Sequence, residues 1–197
     1  MQSCTKLLLK VDTMKTALNK KRFIWINFIW FQVIWFIAVL YTDQAVNILL
    51  FSLFLHFLIS PIREADLLTL LGITLLGSLA DYLLTFLGIF IFPDALFIPI
   101  WLILLWAHFA LSLNHGMSWM IKLPLYARIL FGAIFGTLSY YAGAELGAVT
   151  LHHNLILSLF AMSMIWASLL PVYIEIALFN RDYCDENINK KIEVDMR

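Results

Sequence analysis

The chain has 197 residues, 62% of them hydrophobic and 15% aromatic, and its 13 basic and 13 acidic side chains leave no formal net charge. A soluble domain carries about a quarter of its residues as charges, roughly twice the share found here, so the composition makes lipid the solvent. The same balance excludes a nucleic-acid partner, which needs a basic face, and the length leaves room for one domain.

In chain order, residues 1–22 carry Lys6, Lys10, Lys15, Lys20, Lys21 and Arg22, with no apolar run longer than Leu7–Leu9. They read as a basic cytosolic tail near anionic lipid, not as a cleavable signal peptide or a lipoprotein leader before Cys4. Six apolar windows follow: Phe23–Tyr41, Val46–Ile62, Leu67–Phe92, Ala95–Leu113, Leu125–Val149 and Leu155–Phe179. At about 1.5 Å per residue, a helix of such length crosses a hydrocarbon core of about 30 Å. The windows are apolar all round, whereas barrel strands alternate. The expected fold class is therefore all-α, a polytopic membrane bundle of six transmembrane helices over 23–179, closed by a polar cytosolic tail at 180–197.

Charge tests this threading. With the N-terminus in the cytosol, the six cations before Phe23 share one side with Arg63, Lys122, Arg128, Arg181, Lys190, Lys191 and Arg197. Thr42–Ala45, Pro93–Asp94 and the stretch from Glu145 to Asn154 carry none. One helix too many or too few would scatter the cations, so the positive-inside rule puts both termini in the cytoplasm. Pro61 with Arg63, Glu64 and Asp66, then Pro93–Asp94, and then Pro124 supply the breaks. Trp25, Tyr41, Trp101, Trp119 and Tyr126 fall near span ends, where amphipathic rings belong. Cys4 and Cys184 lie in the polar tails and make neither a disulfide framework nor a metal spacing.

The buried polar residues carry what functional signal there is. A lipid-exposed carboxylate at mid-membrane costs on the order of 3 kcal/mol, so Asp81 must face protein, a partner group or trapped water. Gly77, Asp81 and Thr85 step by four, with Thr74 and Gly88 on the same side. Ser52, His56 and Ser60 also step by four. Trp101, His108 and His115 form one stripe beside Asn114, and Met164, Ser168, Pro171 and Glu175 form another. Gly132, Gly136, Gly143 and Gly147 make two small-xxx-small pairs, which with Gly77 mark close helix packing and a surface for homo-oligomers through the fifth helix. By depth, His56, His108, Asn114, His115, Glu175 and Asn27 gather toward the cytosol. They outline a cytosol-facing cleft with Asp81 at its floor. Asp81, His108 and His56 are the catalytic candidates; Asn114, His115, Glu175 and Asn27 are the ligand-binding ones. Each has a plainer reading: a buried structural pair for Asp81, interhelical hydrogen bonds for the histidines, and a surface contact toward Arg181 for Glu175. Glu145, His152 and His153 decorate the outer surface. Repeated histidine boxes, Gly-rich phosphate loops, H-E-x-x-H and G-x-S-x-G are missing, so neither metal nor cofactor is expected.

From Asn27-Phe-Ile-Trp-Phe-Gln32-Val-Ile-Trp35-Phe36 onward the chain resembles a family of small bacterial inner-membrane proteins, domain of unknown function 2878. The resemblance runs through Gly77-x-x-x-Asp81, Pro99-x-Trp101 with Leu-Trp106, Leu113-Asn114-His115 with Trp119, and Gly132 to Gly147 with Tyr140, covering Phe23 to about Ala177. It implies a multi-pass place in the bacterial plasma membrane and brings no established activity. It also implies gene neighbours like cyclopropane-fatty-acid synthases and flavin-dependent oxidoreductases, hence a link to membrane lipids. The long basic start departs from the family's short one, which makes Met14 the expected initiator. Three functions stay open: an accessory or enzymatic component of lipid or fatty-acyl modification, a small proton-coupled transporter using Asp81, and a non-catalytic membrane scaffold. The residues leave open whether the protein is an enzyme.

Overall fold

A computed structural model describes residues 24–92 and 97–195, with side chains through residue 187. The basic segment with Cys4 and Met14, the Pro93–Asp94 turn, and the side chains of Lys190, Lys191 and Arg197 lie outside these residues. The described chain is all-α in class. Its helices are α1 (24–41), α2 (Val46–Ile59), α3 (Arg63–Phe86), α4 (Ile100–Asn114), α5 (Leu125–Phe131), α6 (Thr137–Glu145) and α7 (Leu155–Asp195). A π-helical turn, Gly132–Gly136, joins α5 and α6 into one rod. Two short strands, β1 (Phe90–Ile91) and β2 (Thr150–Leu151), pair antiparallel with Phe90 opposite Leu151 and Ile91 opposite Thr150.

Ile24–Ile59, Arg63–Phe86 and Leu155–Asn187 are long and apolar enough to cross a membrane, and Ile100–Asn114 is a shorter apolar helix. The first of these stretches doubles back on itself. Trp30 Nε1 donates to Ser52 Oγ at 2.8 Å, whereas 22 residues of straight helix would hold the two about 33 Å apart. The reversal falls at Thr42, whose φ of 45° is rare for a β-branched residue, and continues through the 3-10 turn Thr42–Ala45. α1 and α2 are therefore an antiparallel hairpin.

Several helices depart from the expected boundaries, and α3 covers Arg63–Phe86 rather than Leu67–Phe92, with Phe90 and Ile91 lying in β1. α4 begins only at Ile100, because Pro99 holds an extended backbone ahead of it. At 15 residues it is about 22 Å long, shorter than a hydrocarbon core. α7 runs through Pro171 and past residue 180 to Asp195, so the expected polar tail is largely helical.

α4 is the centre of the bundle. Eleven of its 15 residues are buried, so protein surrounds it on nearly every side. The other helices turn large apolar side chains outward, Leu71, Leu75 and Leu79 on α3 and Ile156 and Phe160 on α7 among them. Apolar surface this continuous has no stable place in water. Lipid gives helices no hydrophobic reason to associate, so close packing and internal hydrogen bonds must hold the bundle together. Within the helices and the π-helical turn, glycine supplies the close packing at three positions. A Cβ on Gly77 would overlap the Trp106 indole, and one on Gly132 or Gly136 would overlap the Trp166 backbone or ring. Gly143 and Gly147 make no such approach: nothing lies within 4 Å of the place a Cβ would take, and Gly147 serves a turn with φ 84°. Gly136→Val should therefore cost about 1–3 kcal/mol through overpacking, read as a lower thermal midpoint in detergent, whereas Gly143→Ala should leave the midpoint in place.

The passes run between two unlike ends. At one end Gly116 N–H donates to Asn27 Oδ1, Arg128 meets Glu175, and Arg63 and Arg181 line a common cleft. At the other, His152 N–H donates to the Ile89 carbonyl beside the β1–β2 ribbon. The described cations, Arg63, Lys122, Arg128 and Arg181, belong to the first end.

Candidate functional site

Two buried polar clusters and one apolar groove occupy the bundle, and α3 connects the clusters. Asp66, Thr69, Ile73, Gly77 and Asp81 are all buried at steps of three and four, so both carboxylates lie on one stripe of α3. Fifteen residues of helix separate them, about 22 Å. The expected single cleft with Asp81 at its floor is thus two sites at different depths.

The first cluster lies at the cation-bearing end and gathers on Asp66, which is 0% exposed. Ser60 Oγ donates to Asp66 Oδ2 at 2.5 Å, and Asn114 Nδ2 donates to Oδ1 at 2.9 Å. His56 Nε2 lies 3.0 Å from Oδ2, and His115 Nε2 lies 2.9 Å from Oδ2 and 3.0 Å from Oδ1. Local structure explains the convergence. α2 stops at Ser60, where the backbone turns extended ahead of Pro61, and α3 restarts at Arg63. His56 and Ser60, one helical turn apart, then face the first turn of α3. From the third side, α4 ends at Asn114 and its C-cap His115 leaves the helix with φ −124° and ψ −88°, directing both side chains at the same carboxylate.

The second cluster lies deep in the bundle. Trp106 Nε1 and Tyr140 OH each donate to Asp81, at 2.6 Å to Oδ2 and Oδ1 respectively. Gly77, one turn before Asp81, lets the indole lie against α3. The Trp106 ring stacks on Trp166 at 5.3 Å between centroids and meets Tyr173 edge-on at 5.5 Å.

The groove runs beside this second cluster, between α1 and the α5–α6 rod. Its cavity of about 630 Å³ is walled by Phe31, Trp35, Phe109, Phe131 and Trp166 and floored by Gly132 and Gly136 of the π-helical turn. Exposed Phe36, Phe135 and Leu138 form its lateral mouth. A smaller cavity of about 70 Å³ shares Phe31, Trp35, Phe109, Ser139 and Trp166 with it and reaches Trp106 and Tyr140, then Phe92 and Val149. The lining is apolar almost throughout, and its few polar groups include Gln32 and Ser139, whose Oγ accepts from Trp35 Nε1 at 3.0 Å.

Of the residues singled out in the sequence, His56, Asn114 and His115 come together, while His108, Glu175 and Asn27 stand apart. His108 Nε2 lies 3.2 Å from the Leu49 carbonyl and ties α4 to α2. Glu175 pairs with Arg128 at 2.5 Å and not with Arg181, because the Ile121 and Leu123 carbonyls hold the Arg128 guanidinium against α7. Asn27 accepts from the Gly116 backbone, where a Cβ would strike Phe28. The His152 and His153 rings lie tilted to each other with centroids 3.9 Å apart in the loop after β2, and His153 is exposed. Asp66 was read only as part of a helix break. Its place three residues before Thr69 and seven before Ile73, on the stripe that ends at Asp81, is the signal that it faces inward.

A family model described as a protein of unknown function (DUF2878) matches residues 24–172, more than half of the chain. The chain belongs to the DUF2878 family. The DUF2878 match takes in both polar clusters and the groove and stops just before Glu175. Trp35, Asp81, Trp106, Asn114, His115 and Tyr140, on which the sequence resemblance rested, fall in these three places. No curated protein and no solved structure matches the chain.

Proposed function

We propose that this DUF2878 protein is a six-span protein of the bacterial inner membrane, with both termini in the cytoplasm, that binds the acyl chain of a lipid in the groove between α1 and the α5–α6 rod. In this role it is an accessory or enzymatic component of membrane-lipid modification. The observation that carries the reading is the aromatic cavity of about 630 Å³ bordered by the exposed apolar side chains Phe36, Phe135 and Leu138. That size falls within the roughly 300–1,000 Å³ of small-molecule sites, and the lining has their character, apolar with a few polar groups. The smaller cavity would lead a chain on toward Trp106 and Tyr140, the two residues that donate to Asp81. A proton-coupled transporter fits less well, since an ion needs an aqueous route and the cavity beside Trp106 and Tyr140, the partners of Asp81, is lined largely by Phe, Trp, Leu and Val.

Ser139→Phe projects a ring into the groove and removes the acceptor for Trp35. It should reduce lipid retained by the purified protein severalfold, by native mass spectrometry, while leaving the fold of the Asp66 region as it is. Undiminished lipid in the folded variant contradicts the assignment. The topology has its own test in a background with Cys4 and Cys184 replaced by serine. A cysteine at Lys122 should be labelled only from the cytosolic face and one at Glu145 only from the periplasm; the reverse pattern rejects it.

A further inference from the structure

Asp66 presents a problem of charge. It is fully buried, and among the described residues its ion-pair partners are two histidines, which carry charge only when protonated. Arg63, the nearest arginine in sequence, is turned to the Leu58 carbonyl instead. Buried charges are commonly matched by ions of opposite sign or by metal coordination. We propose that His56, Asp66 and His115 bind one first-row divalent metal ion, with Asn114 beside it and entry past Ser60.

Three observations agree. The ligand atoms of the three residues all lie within 4.8 Å of one another. Two ligands each about 2.1 Å from a metal are about 3.0 Å apart at a right angle and about 3.4 Å apart at a tetrahedral one; the two Nε2 to Oδ2 separations are 3.0 and 2.9 Å. Next, Asn114 is 3% exposed, and its Oδ1 is buried with no hydrogen-bond partner among the described residues, although its Nδ2 already reaches Asp66. A buried orphan acceptor at the edge of the trio is what an added cation or its bound water would satisfy. Finally, Ser60, which touches Asp66, also lines a cleft of about 440 Å³ at the cation-bearing end, together with Arg63, Glu64 and Arg181. That cleft is the entry path a buried site requires.

The ligand chemistry limits the ion. Two imidazoles and one carboxylate suit zinc or ferrous iron and are a poor set for magnesium or calcium, which take oxygen ligands. The site lies far along α3 from Asp81 and does not depend on lipid in the groove.

The test uses the full chain, purified in detergent without a polyhistidine tag, loaded with Zn²⁺ or Co²⁺ alone and desalted. One Zn²⁺ per chain by elemental mass spectrometry is expected, with no retention of Ca²⁺ offered in its place. Residues that only orient a metal's ligands already change metal affinity by about 10–100-fold, so losing a direct ligand in His56→Ala or His115→Ala should weaken Zn²⁺ binding at least that much. His115→Cys guards against misfolding of the alanine variants, because it should keep Co²⁺ and add a thiolate-to-metal charge-transfer band. A folded wild-type protein that retains no more Zn²⁺ than the His56→Ala/His115→Ala double variant overturns the proposal. So does a folded His115→Cys protein whose Co²⁺ complex lacks the band.

Discussion

Asp66→Ala should destabilise the protein by about 3–5 kcal/mol, the usual cost of removing one member of a buried charged set while its partners stay buried. Ser60, His56, Asn114 and His115 all converge on this one carboxylate from α2, the α2–α3 turn and the end of α4, so its loss strands polar atoms on three segments at once. Ser60→Ala removes a single hydroxyl and should cost far less, about 0.6 kcal/mol, the average for one interhelical hydrogen bond in a membrane. Thermal unfolding in detergent, followed by intrinsic fluorescence, separates the two. Equal midpoints for Asp66→Ala and Ser60→Ala would mean that Asp66 does not organise this end of the bundle.

Trp106→Ala should cost a similar amount, about 3–5 kcal/mol, for a different reason. Trp106 fills the space that Gly77 leaves open and touches Phe109, Trp166 and Tyr173, so truncation leaves a void at the crossing of α3, α4 and α7. Lipid already solvates apolar groups in the unfolded bundle, so most of that cost is lost contact rather than lost hydrophobic transfer. Trp106→Phe keeps much of the packing and drops only the indole donor to Asp81, and about 1 kcal/mol is expected. If Trp106→Phe proves as damaging as Trp106→Ala, the hydrogen bond to Asp81 and not the packing dominates the crossing.

Much of this architecture was legible in the sequence because lipid imposes simple rules. Apolar runs of helical length follow from the cost of exposing polar groups to hydrocarbon, and small residues four apart from the close packing that must hold helices together in lipid. The inward direction of Asp81 followed from the same cost. Asp66 escaped because a carboxylate among Arg63 and Glu64 looks like solvated punctuation, and only the register of α3 from Thr69 to Asp81 turns it inward. The partners of each acid were not legible at all. Trp106 and Tyr140 come to Asp81 from helices that are remote in sequence, and such convergence depends on crossing geometry that a single chain's periodicity does not contain. The π-helical turn was likewise unreadable as such. Its glycines announced a close approach, but the wide turn forms where Trp166 presses against Gly132 and Gly136.

Photocrosslinking tests the groove as a seat for an acyl chain most directly. The protein would be reconstituted with phospholipid bearing a diazirine along one acyl chain, irradiated, and its adducts mapped by peptide mass spectrometry. Adducts concentrated on Phe31, Trp35, Phe131 and Phe135, and suppressed in Ser139→Phe, are the expected result. Adducts spread evenly over outward-facing Leu75, Leu79, Ile156 and Phe160, with the groove unmarked, would show that lipid only surrounds the bundle and would contradict the account.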